Sequence, residues 1–143
     1  MSFKEWTAVG QLVGQVIIVA WLVLDAMGGG VAGQGITEIA VRLCWAIVAM
    51  IGLNIVLTII AVIVGSIIAR EELKDEKADE RDISIDAYSG RNAGYVTSSA
   101  AALALLALAL GADPILAVYA LFAAPMLGGA TDSVSRLVYY RIG

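Results

Sequence analysis

Four long apolar runs, separated by short stretches rich in glycine or in charge, set the pattern of this chain. The first, Ala8–Met27, is twenty residues with Asp25 as its one charged position. At 1.5 Å per residue that is about 30 Å of helix, the thickness of a bilayer's hydrocarbon core. A positive charge followed by an apolar run also opens a signal peptide. This run is long, however, and the LDAMGGG after it lacks a clean A-x-A site, so it is read as a retained span. Five glycines, at 28, 29, 30, 33 and 35, then stop the helix and turn the chain. Gly28, Gly30 and Gly33 satisfy the spacing G-x-G-x-x-G, but no strand precedes them and no βαβ unit surrounds them, so the stretch is read as a loop and not as a nucleotide site.

Thr37 is the expected N-cap of the second helix, with Glu38 in its first turn, where an acid suits the dipole. From Leu43 to Ala69 the chain is uncharged for 27 residues, about 40 Å of helix, which must tilt or protrude from the hydrocarbon layer. Nothing between Ala69 and Asp82 breaks a helix. Glu71, Lys74, Asp75, Lys77 and Glu80 offer i,i+3 and i,i+4 pairs, so the second helix is expected to continue as a solvated stalk, and the chain to turn back at Gly90. The third run, Tyr95–Ala112, is alanine and leucine with Ser98 and Ser99 near its start. Gly111-Ala112-Asp113-Pro114 reads as a tight hairpin in which Asp113 caps and Pro114 enters the first turn of the next helix. The fourth run, Pro114–Thr131, is charge-free, with Pro125 expected to kink it. The predicted fold is all-α: a single polytopic membrane domain of four transmembrane helices in two hairpins, with spans at about 8–27, 40–69, 95–112 and 114–131. The long second helix extends into the cytoplasm, and residues 70–92 form a charged cytoplasmic loop.

Composition agrees with that pattern. The 143 residues are 60% hydrophobic with a mean hydropathy of +0.87, well above a soluble domain. There is no histidine and one cysteine, Cys44, so an intrachain disulfide and any metal site built on His and Cys are excluded, and no cofactor is expected. Of the formal charge of −4, the stretch Arg70–Arg91 supplies −3, from eight acidic and five basic residues. That balance gives no reason to expect nucleic acid as a partner. With four spans both termini and the charged stretch share one side. That side holds Lys4, Arg70, Lys74, Lys77, Arg81, Arg91, Arg136 and Arg141 against Arg42 alone on the other, which makes it cytoplasmic by the positive-inside rule. Trp6, Tyr88, Tyr95, Tyr139 and Tyr140 cluster near the same boundary as an aromatic belt.

Polar groups inside a bilayer are costly, which makes them the first functional candidates. Asn54 lies at the middle of the second span, with Thr58, Ala61 and Gly65 continuing its face; the stripe reads either as a polar spot in a small-molecule path or, preferred here, as an interhelical hydrogen bond that fixes register. In the first span Gln11 and Gln15 lie four apart, interleaved with Gly10 and Gly14 as G-x-x-x-G, an interhelical contact within one chain or between two. Asp132 and Arg136 are an i,i+4 pair, read as a structural ion pair or as Arg136 meeting lipid phosphate. Asp25 and Arg42, near the other boundary on consecutive helices, are placed to pair with each other. No carboxylate or lysine falls at mid-membrane, which argues against a proton-coupled carrier. The acidic stretch lacks the glycine and alternate spacing of a calcium loop and reads as a solvated face. No nucleophile and base constellation accompanies it, so no enzyme is expected.

DERDISIDAYSGRNAGYV, residues 79–95, followed by two apolar spans and the closing SRLVYYRIG, residues 135–143, resembles a family of small uncharacterised prokaryotic membrane proteins with four predicted helices and a cytoplasmic D-E-R-D segment. The likeness rests on Glu80-Arg81-Asp82, Arg91 and the terminal Arg-x-x-Tyr-Tyr-Arg pattern and covers about half of the chain. It implies a multi-pass protein of the plasma membrane without an assigned activity, and the family's likeness to companions of helix-turn-helix regulators implies a regulatory role. Glu80, Arg81 and Asp82 are expected to tie the loop to the helix ends through Arg91, Arg136 or Arg141. Two functions follow as expectations. One is a non-enzymatic, homo-oligomeric interaction or regulatory protein whose charged loop meets a cytoplasmic protein partner. The other is a small oligomeric transporter or channel with a path lined by Asn54, Thr58, Gln11 and Gln15.

Overall fold

The computed structural model describes residues 3–28, 33–70 and 79–142. These form four α-helices: α1 (Phe3–Met27), α2 (Ile36–Ala69), α3 (Glu80–Ala109) and α4 (Pro114–Ile142). All four are long and apolar enough to cross a membrane. The two sequence hairpins, α1 with α2 and α3 with α4, are joined through α1 against α4, so the helices lie in the spatial order α2, α1, α4, α3. Among the described residues α2 and α3 do not pack on each other. The inner pair, α1 and α4, carries most of the buried positions, while α2 and α3 turn a broad apolar face outward, as helices whose solvent is lipid do.

The start of α1, the end of α4 and the facing ends of α2 and α3 make one end of the bundle, here the terminal end; the opposite ends of the helices make the hairpin end. Packing differs between them. Toward the hairpin end Ile18 and Leu22 of α1, Ile39 and Leu43 of α2 and Met126 of α4 form the apolar core, flanked by Ile115, Val118, Tyr119 and Phe122. Toward the terminal end the buried positions are mostly small or polar, among them Ala8, Gly10, Gly14, Gly65, Ser89, Gly128 and Ser133, with Ile85 as the one large apolar side chain among the described residues there. Small side chains let backbones approach, which is what helix association in lipid needs in the absence of a hydrophobic drive.

Several boundaries depart from the sequence expectation. The second helix stops at Ala69, where Arg70 takes a left-handed conformation (φ 56°) as its C-cap. The expected stalk over 71–78 lies outside the described residues. It is α3 that carries the charged segment as helix, because Asp79 caps it: its carboxylate accepts the Asp82 amide at 2.7 Å, and the Asp82 carboxylate accepts the Asp79 amide at 3.4 Å. Gly90 therefore sits inside α3 and does not turn the chain. One helical glycine costs about 1 kcal/mol, less than packing and a cap return. Gly35, not Thr37, is the N-cap of α2, and its amide donates to the Glu38 carboxylate at 3.2 Å. In α4 the helix runs through Pro125 and on to Ile142, eleven residues beyond the expected end of its span. Proline removes a single intrahelical bond, and apolar residues on both sides carry the helix past it.

The connection between α3 and α4 follows its sequence closely. Gly111 (φ 92°) follows the C-cap of α3, with its amide bonded to the Leu108 carbonyl and the Ala112 amide to the Ala107 carbonyl, both at 3.0 Å. This pairing closes a Schellman turn. Asp113 then accepts the Ile115 amide at 2.8 Å and starts α4 with Pro114 in its first turn.

Candidate functional site

The first three turns of α3, the last turns of α4 and the start of α1 meet in a charged knot at the terminal end. Asp82 is its centre. One carboxylate oxygen accepts from Lys4 Nζ at 2.6 Å and the other from the Tyr140 hydroxyl at 2.8 Å, so three helices converge on a single side chain. Next to it Arg81 donates to the Tyr140 carbonyl at 3.3 Å. One turn further along α3, Asp86 pairs with Arg136, whose Nε also donates to Asp132 at 2.8 Å. Asn92 donates to the Tyr139 hydroxyl at 3.0 Å and lies 3.4 Å from the Ser135 hydroxyl. Positions 82, 85, 86, 89 and 92 recur at three and four residues, so the amphipathic face of α3 toward α4 is half carboxylate and half Ile85 and Ser89.

Of the expected residues in this region, Arg81, Asp82, Asp132 and Arg136 enter the knot: Asp132 and Arg136 pair with each other as expected, while Arg81 and Asp82 take other partners than the expected ones. Asp82 takes Lys4 and Tyr140 instead of Arg91, Arg136 or Arg141. Glu80 begins α3 and gives its carbonyl to the Ser84 hydroxyl at 2.9 Å. Arg91 stands apart, its guanidinium 5.0 Å over the Tyr88 ring. Asp86 and Asn92 were not among the expected site residues; Lys4 was read only for orientation, and Tyr140 only as a residue of the aromatic belt and the terminal pattern. Lys4 and Asp82 are 78 positions apart, and only the packing of α1 beside the α3/α4 hairpin brings them together. The pair is half-buried and still reached by solvent, so the Asp82→Asn variant, which keeps the side-chain shape but loses the charge, is expected to lower stability by about 1 kcal/mol in a detergent unfolding titration.

A second knot sits at the hairpin end. Asp25 of α1 pairs with Arg42 of α2, as its position suggested, and also accepts from the Tyr119 hydroxyl of α4 at 2.9 Å. The Arg42 guanidinium lies 5.9 Å from the Trp21 ring. Here again three helices share one carboxylate.

Between the two knots lie the amides of the expected polar path, and they fall in different seams. Asn54 and Thr58 face α1: a Cβ on Gly14 would stand 2.5 Å from the Asn54 amide oxygen, and one on Gly10 would stand 2.9 Å from the Thr58 Cα. The G-x-x-x-G of α1 is thus a contact within the chain, against the Asn54 stripe. Gln15 instead lies over Gly129 of α4. Gln11, one turn away, is half-buried. The four residues do not line one path within a single chain. Among the described residues they do leave buried oxygens without a hydrogen-bond partner: the Gln15 and Asn54 amide oxygens, joined by one Asp132 carboxylate oxygen and the Ser133 hydroxyl. Asn54 spends its amide nitrogen on the Met50 carbonyl of its own helix at 3.0 Å. Among the described residues no group of three His, Cys, Asp or Glu side chains comes together as a metal set.

Comparison with known proteins adds no relative: no family model, no curated protein and no solved structure matches the chain.

Proposed function

We propose that the chain is a non-enzymatic multi-pass protein of the prokaryotic plasma membrane, of the interaction or regulatory type, with both termini and the start of α3 on the cytoplasmic side. The observation that carries this reading is the division of labour on α3. Its charged face is engaged within the chain by Lys4, Tyr140 and Arg136, while Ile83 (60% exposed) and Ala87, one turn on, are exposed on another face of the same turns. Residues 80–89 precede the uncharged part of α3, so this apolar edge stands clear of the lipid on a helix held rigid from below. A rigid apolar edge rimmed by charge is the form in which a helix presents itself to a protein partner.

A photoreactive residue at Ile83 tests it in native membranes. The expected result is one dominant adduct to a second protein, lost in Ala87→Glu and absent when the same probe is placed at Val56 on the lipid-facing side of α2. Diffuse labelling equal at the two positions would sink the reading.

One observation favours a second reading, the small oligomeric transporter or channel. Buried unpartnered oxygens such as those of Gln15 and Asn54 cost about 1–3 kcal/mol each and call for a donor or a cation that the described residues do not supply. Four helices enclose little, so a path needs a homo-oligomer, and the open face of α3, where nothing lies within 4 Å of a Cβ built on Gly90 or Gly94, is a surface on which copies can approach closely. For this reading the Asn54→Leu variant is decisive. It is expected to hold stability within about 1 kcal/mol, because losing the orphan oxygen offsets the tighter fit against Gly14. Ion or solute flux in proteoliposomes would then fall to background; flux that is absent from the unaltered protein, or unchanged in the variant, leaves the interaction reading.

A further inference from the structure

Of the basic side chains at the terminal end, Lys4, Arg81 and Arg136 are engaged within the chain. Arg91 is different. It is exposed, no carboxylate among the described residues meets it, and its guanidinium is held 5.0 Å over the Tyr88 ring. That ring is fixed in turn, edge to face with Tyr139 at 6.3 Å, and Tyr139 accepts from Asn92. A guanidinium stacked on an anchored aromatic has lost much of its freedom and keeps its N–H groups pointed outward for a planar or tetrahedral anion.

Its height along the bundle decides which anion. Eighteen residues separate Arg91 from the last residue of α3, Ala109, about 27 Å of helix, which is close to the hydrocarbon thickness of a bilayer. With the α3/α4 connection at one lipid boundary, Arg91 falls at the other, at the level of the headgroup phosphates. Tyr88 and Tyr95, exposed at 51% and 65%, flank it one turn away on either side on the same face of α3, the placement of interfacial aromatics. We propose that Arg91, with Tyr88 beneath it, is a binding site for the phosphate of an anionic phospholipid in the leaflet at the terminal end. The site goes beyond the interaction reading and does not depend on it: it binds a lipid on the span of α3, whereas a protein partner would meet Ile83 above.

The test is native mass spectrometry of the delipidated full chain titrated with phosphatidylglycerol or with phosphatidylcholine. The expected result is one phosphatidylglycerol retained more tightly than the rest. Arg91→Gln weakens that lipid on the order of fivefold, as the loss of one interfacial cation does. Tyr88→Phe keeps the ring and retains the lipid, Tyr88→Leu weakens it, and Arg141→Gln, which removes the same charge outside the site, leaves it unchanged. Circular dichroism of each variant reports that the helices persist. Retention that is equal in the unaltered protein and in Arg91→Gln overturns the site. So does an equal effect of Arg91→Gln and Arg141→Gln, which would mean charge alone, or displacement of the lipid by millimolar inorganic phosphate, which would mean a free-phosphate site.

Discussion

Replacing Arg42 with leucine is expected to lower stability by about 3 kcal/mol, the largest loss from any single charge in the chain. The Asp25 side chain is only 8% exposed and sits among α1, α2 and α4, with the Arg42 guanidinium on one oxygen and the Tyr119 hydroxyl on the other. Removing one member of a buried pair leaves an uncompensated charge, typically at 3–5 kcal/mol. The lower figure applies because the Arg42 side chain is 37% exposed and Tyr119 remains as a donor. Arg42→Leu also withdraws the cation beside Trp21 and loosens the start of α2. Unfolding by denaturing detergent, followed by far-ultraviolet circular dichroism, measures the loss. The double variant Asp25→Asn with Arg42→Leu should recover most of it, since no charge is then stranded. A single variant as stable as the unaltered protein would show that Asp25 is solvated and that the knot holds nothing together.

How legible these features were in the sequence depends on the range over which each is decided. The four helices follow from apolar runs long enough to span a bilayer, a signal that needs no tertiary information. The Asp25–Arg42 pair was legible for a similar reason: two charges flank a short glycine connection on consecutive helices, so the hairpin alone brings them together. The turn at Gly111 was legible because a glycine, an aspartate and a proline in that order have few other uses. Where the sequence misled, two local signals competed. Gly90 is a helix breaker by propensity, yet the cap at Asp79 and the contacts of Ile85 and Ser89 with the bundle start the helix ten residues earlier and carry it through.

Within the charged knot the i,i+4 pair of Asp132 and Arg136 was legible, and the partners across helices were not. Nothing local pairs Asp82 with Lys4 in preference to Arg136, because that choice is made by α1 and α3 both packing on α4, which brings their ends within reach of each other. The same geometry explains the amides. Asn54 and Gln15 fall at similar heights, but Gly14 and Gln15 are neighbours on one helix and point about 100° apart, so one faces α2 and the other α4. Equal depth in the membrane is written in the sequence, and membership of one seam is not.

The second large effect is expected at Gly10. A Cβ there would stand 2.9 Å from the Thr58 Cα, 3.0 Å from the Leu57 carbonyl oxygen and 3.1 Å from the Thr58 amide nitrogen. All three are backbone atoms, so no side chain can swing aside, and α1 and α2 must move apart along their seam. Gly10→Ala is therefore expected to cost about 2–3 kcal/mol, at the upper end for overpacking, even though alanine is the better helix former by about 1 kcal/mol. Gly94→Ala is the matched comparison, because that glycine is also inside a helix and nothing lies within 4 Å of its Cβ position. In the monomer it should be neutral or stabilising by up to about 1 kcal/mol. Gly14→Ala separates the two cases further, for its new methyl meets the Asn54 amide group. Combining it with Asn54→Ala should then restore part of the loss, whereas no change at Thr58 should rescue Gly10→Ala. Equal unfolding midpoints for Gly10→Ala and Gly94→Ala would mean that the α1/α2 seam is looser than the close approach of Gly10 to Thr58 requires.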